Sequence, residues 1–94
     1  MRKMIMCKKR AESDNGERLT LIYFVTIDEL TNISFDASAE SYGVGIAIEE
    51  RGEEACVRHI TLRSSEIFGL TSLLSSNFVT PVTLSDAVED WLCR

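Results

Sequence analysis

Ninety-four residues, 45% of them hydrophobic and 27% charged, make at most one folded domain with a thin core, and they exclude a disordered or low-complexity chain. The net charge of −5 is uneven: Arg2, Lys3, Lys8, Lys9 and Arg10 are five of the ten basic residues, so the other 84 positions set five bases against fifteen acids and carry −10. Such a body repels nucleic acid and anionic membranes, which leaves the basic terminus as the only segment suited to contact either.

That terminus, MRKMIMCKKR, has an apolar run of three residues, Met4 to Met6, too short for a signal-peptide core or a membrane span. The polar stretch AESDNGER follows with an Asn15-Gly16 turn signal. Residues 1–17 therefore read as a flexible arm, basic and then polar, and residues 18–94 as a single domain. Residues 19–27, LTLIYFVTI, are rich in β-branched and aromatic types, with Leu19, Leu21, Tyr23, Val25 and Ile27 opposing Ile22 and Phe24. This pattern predicts a central strand covered on both faces.

Residues 28–40 lack sustained periodicity and read as a loop, with Ile33 and Phe35 as a brief extended piece. In SYGVGIAIEE, residues 41–50, Tyr42, Val44, Ile46 and Ile48 alternate with Gly43, Gly45 and Ala47, so the expected strand has one bulky and one nearly bare face. The charged turn at 51–54 contains Gly52 and leads into a third strand, 55–62, which predicts an antiparallel hairpin. The period then changes from two to about 3.6. Ile67, Leu70, Leu73 and Leu74 define a helix over 65–76, with Ser64 or Ser65 capping its start, Glu66 at its positive end, Gly69 suited to close packing and Asn77 closing it. Pro81 makes residues 79–82 a short link. Thr83 and Asp86 then open a second helix whose inward stripe is Leu84, Val88, Trp91 and Leu92.

The expected fold is α+β: a small antiparallel sheet of three or four strands with two C-terminal helices packed on one face. Leu21, Tyr23, Val25, Val44, Ile46, Ile60, Leu70, Leu73, Leu74, Val88 and Trp91 should supply much of its core.

Candidate chemistry is thin. Asp86, Glu89 and Asp90 cluster on the helix face away from Leu84 and Val88, where a solvated face explains them without metal or acid/base work. Cys56 and His59 are three apart on a strand, which sends their side chains to opposite faces, and no spacing typical of a zinc site occurs. His59 is the only histidine, and without an acid at strand spacing it reads as a surface residue. Gly43 and Gly45 form GxG without the third glycine and following helix of a dinucleotide site. Cys7, Cys56 and Cys93 are an odd set at wide spacings, which argues for reduced thiols in the cytosol. No catalytic, cofactor-binding or metal-ligating residue is assigned, and no cofactor is expected.

Tyr42-Gly43-Val44-Gly45-Ile46 on a strand and the closing stretch PVTLSDAVEDWL, residues 81–92, together resemble a domain-of-unknown-function family of short bacterial proteins from anaerobic Gram-positive organisms. The likeness follows the order of elements over residues 18–92, with Trp91 standing where that family has a smaller aromatic. It implies a small cytosolic bacterial domain and carries over no activity and no functional residues.

The favoured functional reading is a non-enzymatic protein-interaction or regulatory module, with homodimerisation as one form it can take, because no catalytic constellation is visible and helices on one side leave part of an apolar sheet to be covered. The alternative is a small-ligand-binding or enzymatic domain with a pocket between the bare strand Gly43–Ala47 and the loop at 28–40. The third is nucleic-acid contact through the basic arm.

Overall fold

A computed structural model describes residues 1–32 and 37–93, with the backbone alone at residues 31, 32, 37 and 38. The described residues form β1 (Arg2–Glu12), β2 (Arg18–Asn32), β3 (Ala37–Ile48), β4 (Glu53–Thr61), α1 (Ser64–Ser76), a 3-10 turn (Pro81–Thr83) and α2 (Leu84–Leu92). The strands make one antiparallel sheet in the order β1-β2-β3-β4. The expected α+β architecture, with both helices after a four-stranded sheet, is the observed one.

Residues 2–12, read from sequence as an arm, belong to the sheet. They pair with β2 from Arg2 opposite Ile27 to Glu12 opposite Arg18, with a bulge at Met6. A strand with cations at Lys3, Lys8 and Arg10 on its solvent face resembles a protected sheet edge, since charges there discourage pairing with another chain. The segment 28–40, read as a loop, also changes: β2 runs on to Asn32, β3 begins at Ala37, and Asp28 pairs with Ser41. Ile33 and Phe35 lie outside the described residues.

One face of the sheet carries the core. Leu19, Leu21, Tyr23 and Val25 of β2 and Val44, Ile46 and Ile48 of β3 meet Ile67, Leu70 and Leu74 of α1 and Leu84 and Val88 of α2 in one buried cluster. Tyr23 ties the link between the helices to the sheet by donating a hydrogen bond from Oη to the Val79 carbonyl at 2.8 Å. Burial, and secondarily the neighbouring Cys7, pushes the Tyr23 hydroxyl up to about 12. Three expected core residues, Ile60, Leu73 and Trp91, and Leu92 of the expected inward stripe differ, Trp91 being only partly buried. Leu73 and Leu92 are 48% and 57% exposed, and Ile60 is only partly buried. Leu73 and Leu92 sit where the helices turn from the sheet to solvent, so apolar spacing marked the stripe wider than the face the sheet covers.

The helix ends follow the sequence in part. Asn77 does close α1, and its side-chain amide donates to the Leu73 carbonyl at 2.8 Å. The start is capped differently: Arg63 occupies the cap position without a side-chain bond, while Thr61 Oγ1 accepts from the Arg63 amide and donates to Glu66. Thr83 precedes α2 but makes no side-chain cap either, because the 3-10 turn begun by Pro81 already supplies the approach to the helix.

Candidate functional site

The solvent face of the sheet is not bare. Phe24 projects from β2 across its partner Gly45, and a Cβ placed on Gly45 would stand 2.1 Å from the ring. The glycine is thus required by the phenyl group that lies over it, an arrangement in which an aromatic side chain covers backbone that glycine leaves open. Lys3 Nζ lies 5.0 Å from the ring centroid and reaches Glu54 on β4 at 2.5 Å. This strap leaves Phe24 only 2% exposed. Gly43 is filled in a second way: the Val57 carbonyl and Arg58 Cα of β4 would meet its Cβ at 2.2 and 2.7 Å. The space beside Gly43–Ala47, expected as a pocket in the alternative reading, is therefore occupied at both glycines by protein.

The backbone of β4 reaches Gly43 through a bulge. Tyr42 pairs with Thr61 and Val44 with Val57, so residues 58–60 oppose the single residue Gly43. His59 takes positive φ, 59°, within this bulge, a conformation strained for a non-glycine residue and concentrated at functional sites. The bulge gathers polar groups from three strands. Asp28 is 6% exposed and receives both ends of the Arg58 guanidinium, Nε to Oδ2 at 3.0 Å and the terminal nitrogen to Oδ1. His59 Nε2 lies 3.8 Å from the same carboxylate and the terminal ammonium 3.9 Å. His59 Nδ1 stands 3.2 Å from the hydroxyl of buried Ser41. The Arg58 bond, above all, holds the Asp28 carboxyl below its ordinary range, and the same pairing raises Arg58.

An imidazole between a serine and an aspartate has the membership of a nucleophilic triad, but the roles do not follow. Asp28 is already bridged by a bidentate guanidinium, and Ser41 is buried beneath the ring rather than offered to a substrate. Its chemistry is that of a charge clamp that fixes the β4 bulge on a carboxylate of β2, with the Met1 ammonium nearby. Sequence missed it because its members come from 28, 41 and 58–59; Asp28 fell in the supposed loop, and the acid facing His59 lies across the sheet.

The helical layer has a different character. A cavity of about 360 Å³ lies between α1 and α2, lined by Leu73, Leu74, Val79, Ala87, Asp90 and Trp91. A second, of about 340 Å³, adjoins it at Leu73 and Trp91 and extends toward Glu66 and Gly69. Gly69 does not serve close packing: a Cβ there would meet nothing within 4 Å, so the glycine widens the groove. From residue 64 to 93 the chain has four acids, Glu66, Asp86, Glu89 and Asp90, and no lysine, arginine or histidine. Asp86, Glu89 and Asp90 are exposed, while Trp91 is half-buried against the core. The helix therefore separates the tryptophan from most of the acids that crowd it in sequence, and Asp90 alone joins it on the groove. Cys56 and Cys93 are exposed free thiols. Among the described residues no three His, Cys, Asp or Glu side chains converge as a metal site, and no helix is long and apolar enough to cross a membrane.

A four-stranded antiparallel meander backed by two helices, with four acids and no base between residues 64 and 93, defines a small two-layer α+β domain. The chain belongs to the family of unknown function DUF6514, whose model matches residues 2–94 and so includes β1. No curated protein and no solved structure matches it.

Proposed function

We propose that this domain is a non-enzymatic interaction module whose α1–α2 groove receives a cationic amphipathic segment of a partner protein. The observation that carries the reading is the coincidence of an apolar groove with four acids and no base over residues 64–93, the nearest described cation on these helices being Arg63 at the start of α1, 3.9 Å from Glu66. An apolar stripe on the partner would cover Leu73 and Trp91, and its cations would meet Glu66 and Asp90; charge complementarity of this kind sets partner choice and speeds encounter. The basic edge β1 is a weaker candidate for nucleic acid, since Arg2 pairs with Glu40, Lys3 with Glu54, and Lys9 lies over the Phe78 ring. The bacterial cytosol is the setting this reading assumes.

The test is a titration of the purified domain with a leucine–lysine model helix, followed by the fluorescence of Trp91. Binding should weaken with salt and fall about tenfold in Leu73→Lys, which adds repulsion and removes an apolar contact of roughly a kcal/mol. A leucine–glutamate helix should not bind. Equal binding of both peptides, or a mass that doubles with concentration because a second copy fills the groove, would overturn the assignment.

A further inference from the structure

We propose that a second, separate cavity binds a small amphipathic cation, an ammonium group carried on an apolar body. This cavity, of about 380 Å³, opens at the turn end of the sheet between the β1–β2 turn, the ends of β2 and β3, and the link after α1. Its size is that of a small-molecule site. Its floor is the core itself, Leu19, Leu21 and Ile48, and its outer wall is Phe78 and Val82. It shares no lining residue with the groove between the helices, so the two proposals stand or fall separately.

Phe78 is the first sign that the cavity is kept for a ligand. The amide of Phe78 donates to Ser75 O at 3.2 Å and that of Val79 to Leu74 O at 3.1 Å, which makes Phe78 the left-handed residue closing α1. Glycine is the residue this position favours. Phe78 nevertheless adopts a φ of 52° with a ring that the fold only half covers, a position where a large side chain is uncommon. The ring instead stands over the cavity. Lys9 Nζ lies 5.6 Å from its centroid, so the aromatic face already accepts a cation.

Charge on the rim supplies the second sign. The described lining has three acids, Glu12, Asp14 and Glu53, and one base, Arg51. Arg51 is held by Glu17 at 2.9 Å and lies 4.0 Å from Glu53, so with Lys9 at the Phe78 ring included, four acids face two bases beside an apolar floor. A carboxylate ligand would be repelled there and an amine attracted. A short alkyl or aryl chain would lie on Leu19 and Ile48 under the Phe78 ring, with its ammonium toward Asp14 and Glu53.

Chemical-shift titrations of the labelled domain at neutral pH with hexylammonium, and in parallel with hexanoate, test the assignment. Hexylammonium should give saturable shifts at the amides of Leu19, Ile48, Phe78 and Val82, and hexanoate should bind at least about fivefold more weakly, the scale of one or two exposed charge contacts. Phe78→Gly should fold and weaken hexylammonium about tenfold by removing the aromatic wall. Asp14→Asn combined with Glu53→Gln should erase the preference for the amine while Phe78 stays in place. Absent shifts, shifts confined to the helical groove, equal binding of the two probes, or a Phe78→Gly protein that binds like the wild type would each overturn the proposal.

Discussion

Gly45→Ala tests the most specific packing relation in the sheet. The added methyl would stand 2.1 Å from Phe24 Cζ and 2.2 Å from Cε2, so the ring has to leave the sheet. Expelling a phenyl group that is now 2% exposed forfeits about 1.5 to 3 kcal/mol of burial, and losing Lys3 from its face forfeits about 0.5 to 1 more. Alanine recovers roughly 0.5 to 1 kcal/mol by narrowing the unfolded ensemble. The net destabilisation is therefore about 1 to 3 kcal/mol, or roughly 5 to 20 °C in Tm for a chain of this size. The decisive comparison is a double-mutant cycle with Phe24→Ala, read by urea unfolding with Trp91 fluorescence and far-UV circular dichroism. Once the ring is gone, Gly45→Ala should turn neutral or stabilising. A Gly45→Ala protein as stable as the wild type, or one with the same cost in both backgrounds, would refute the account.

Tyr23→Phe leaves the Val79 carbonyl without its donor and should cost about 1 to 2 kcal/mol. Because the folded state raises the Tyr23 hydroxyl to about 12, wild-type stability contributed by this group is intact below its ordinary value of 10 and falls as pH rises from 10 to 12; urea midpoints of the phenylalanine variant should decline less steeply there, and parallel curves would contradict the burial argument. Asp28 has the opposite sign: its carboxyl is held low, chiefly by Arg58, so its contribution is present above the ordinary 3.8 and is lost as pH falls below it. Asp28→Asn should be less stable at neutral pH and should lose less stability on acidification. Phe78→Gly should change stability by less than about 1 kcal/mol in a thermal melt, because relief of left-handed strain offsets the loss of a half-covered ring and its lysine contact; a loss above about 2 kcal/mol would make the ring a core residue. Trp91→Ala should cost about 2 kcal/mol, scaled to a half-buried side chain, whereas Asp90→Asn should stay within about 0.5; the reverse order would make the acid structural.

The sheet core was legible because one face of β2 and β3 alternates without interruption: Leu21, Tyr23, Val25, Val44 and Ile46 were all named from period alone, and all are buried. The helices were legible for the same reason, at a period of 3.6. What sequence hid was long-range pairing. Nothing local marks MIMCKKR as a strand, because its cations suit an edge, and only contact with β2 makes it one. Asp28 looks like a loop residue because its polarity interrupts the apolar period, and Ser41 like the bare start of a strand, yet they pair across β2 and β3 and place a carboxylate under a bulge that begins 30 residues later. The bare glycine face was visible, but its reason was not: at Gly45 it is a ring from the neighbouring strand, at Gly43 the backbone of β4.

Two non-glycine residues among those described carry positive φ, and they divide the molecule's polar and apolar chemistry between them. At His59 the strain is balanced locally: the bulge that imposes it also brings Arg58 onto Asp28 and the imidazole onto Ser41, so the contacts that depend on the conformation can sustain it. At Phe78 the compensation within the fold is partial. The two backbone bonds that close α1 would form equally well around glycine, and what the phenyl group adds is a half-exposed wall with one lysine over it. The same backbone feature is therefore fully compensated at one end of the sheet and only partly at the other. That difference, rather than the strain itself, directs attention to the cavity beneath Phe78.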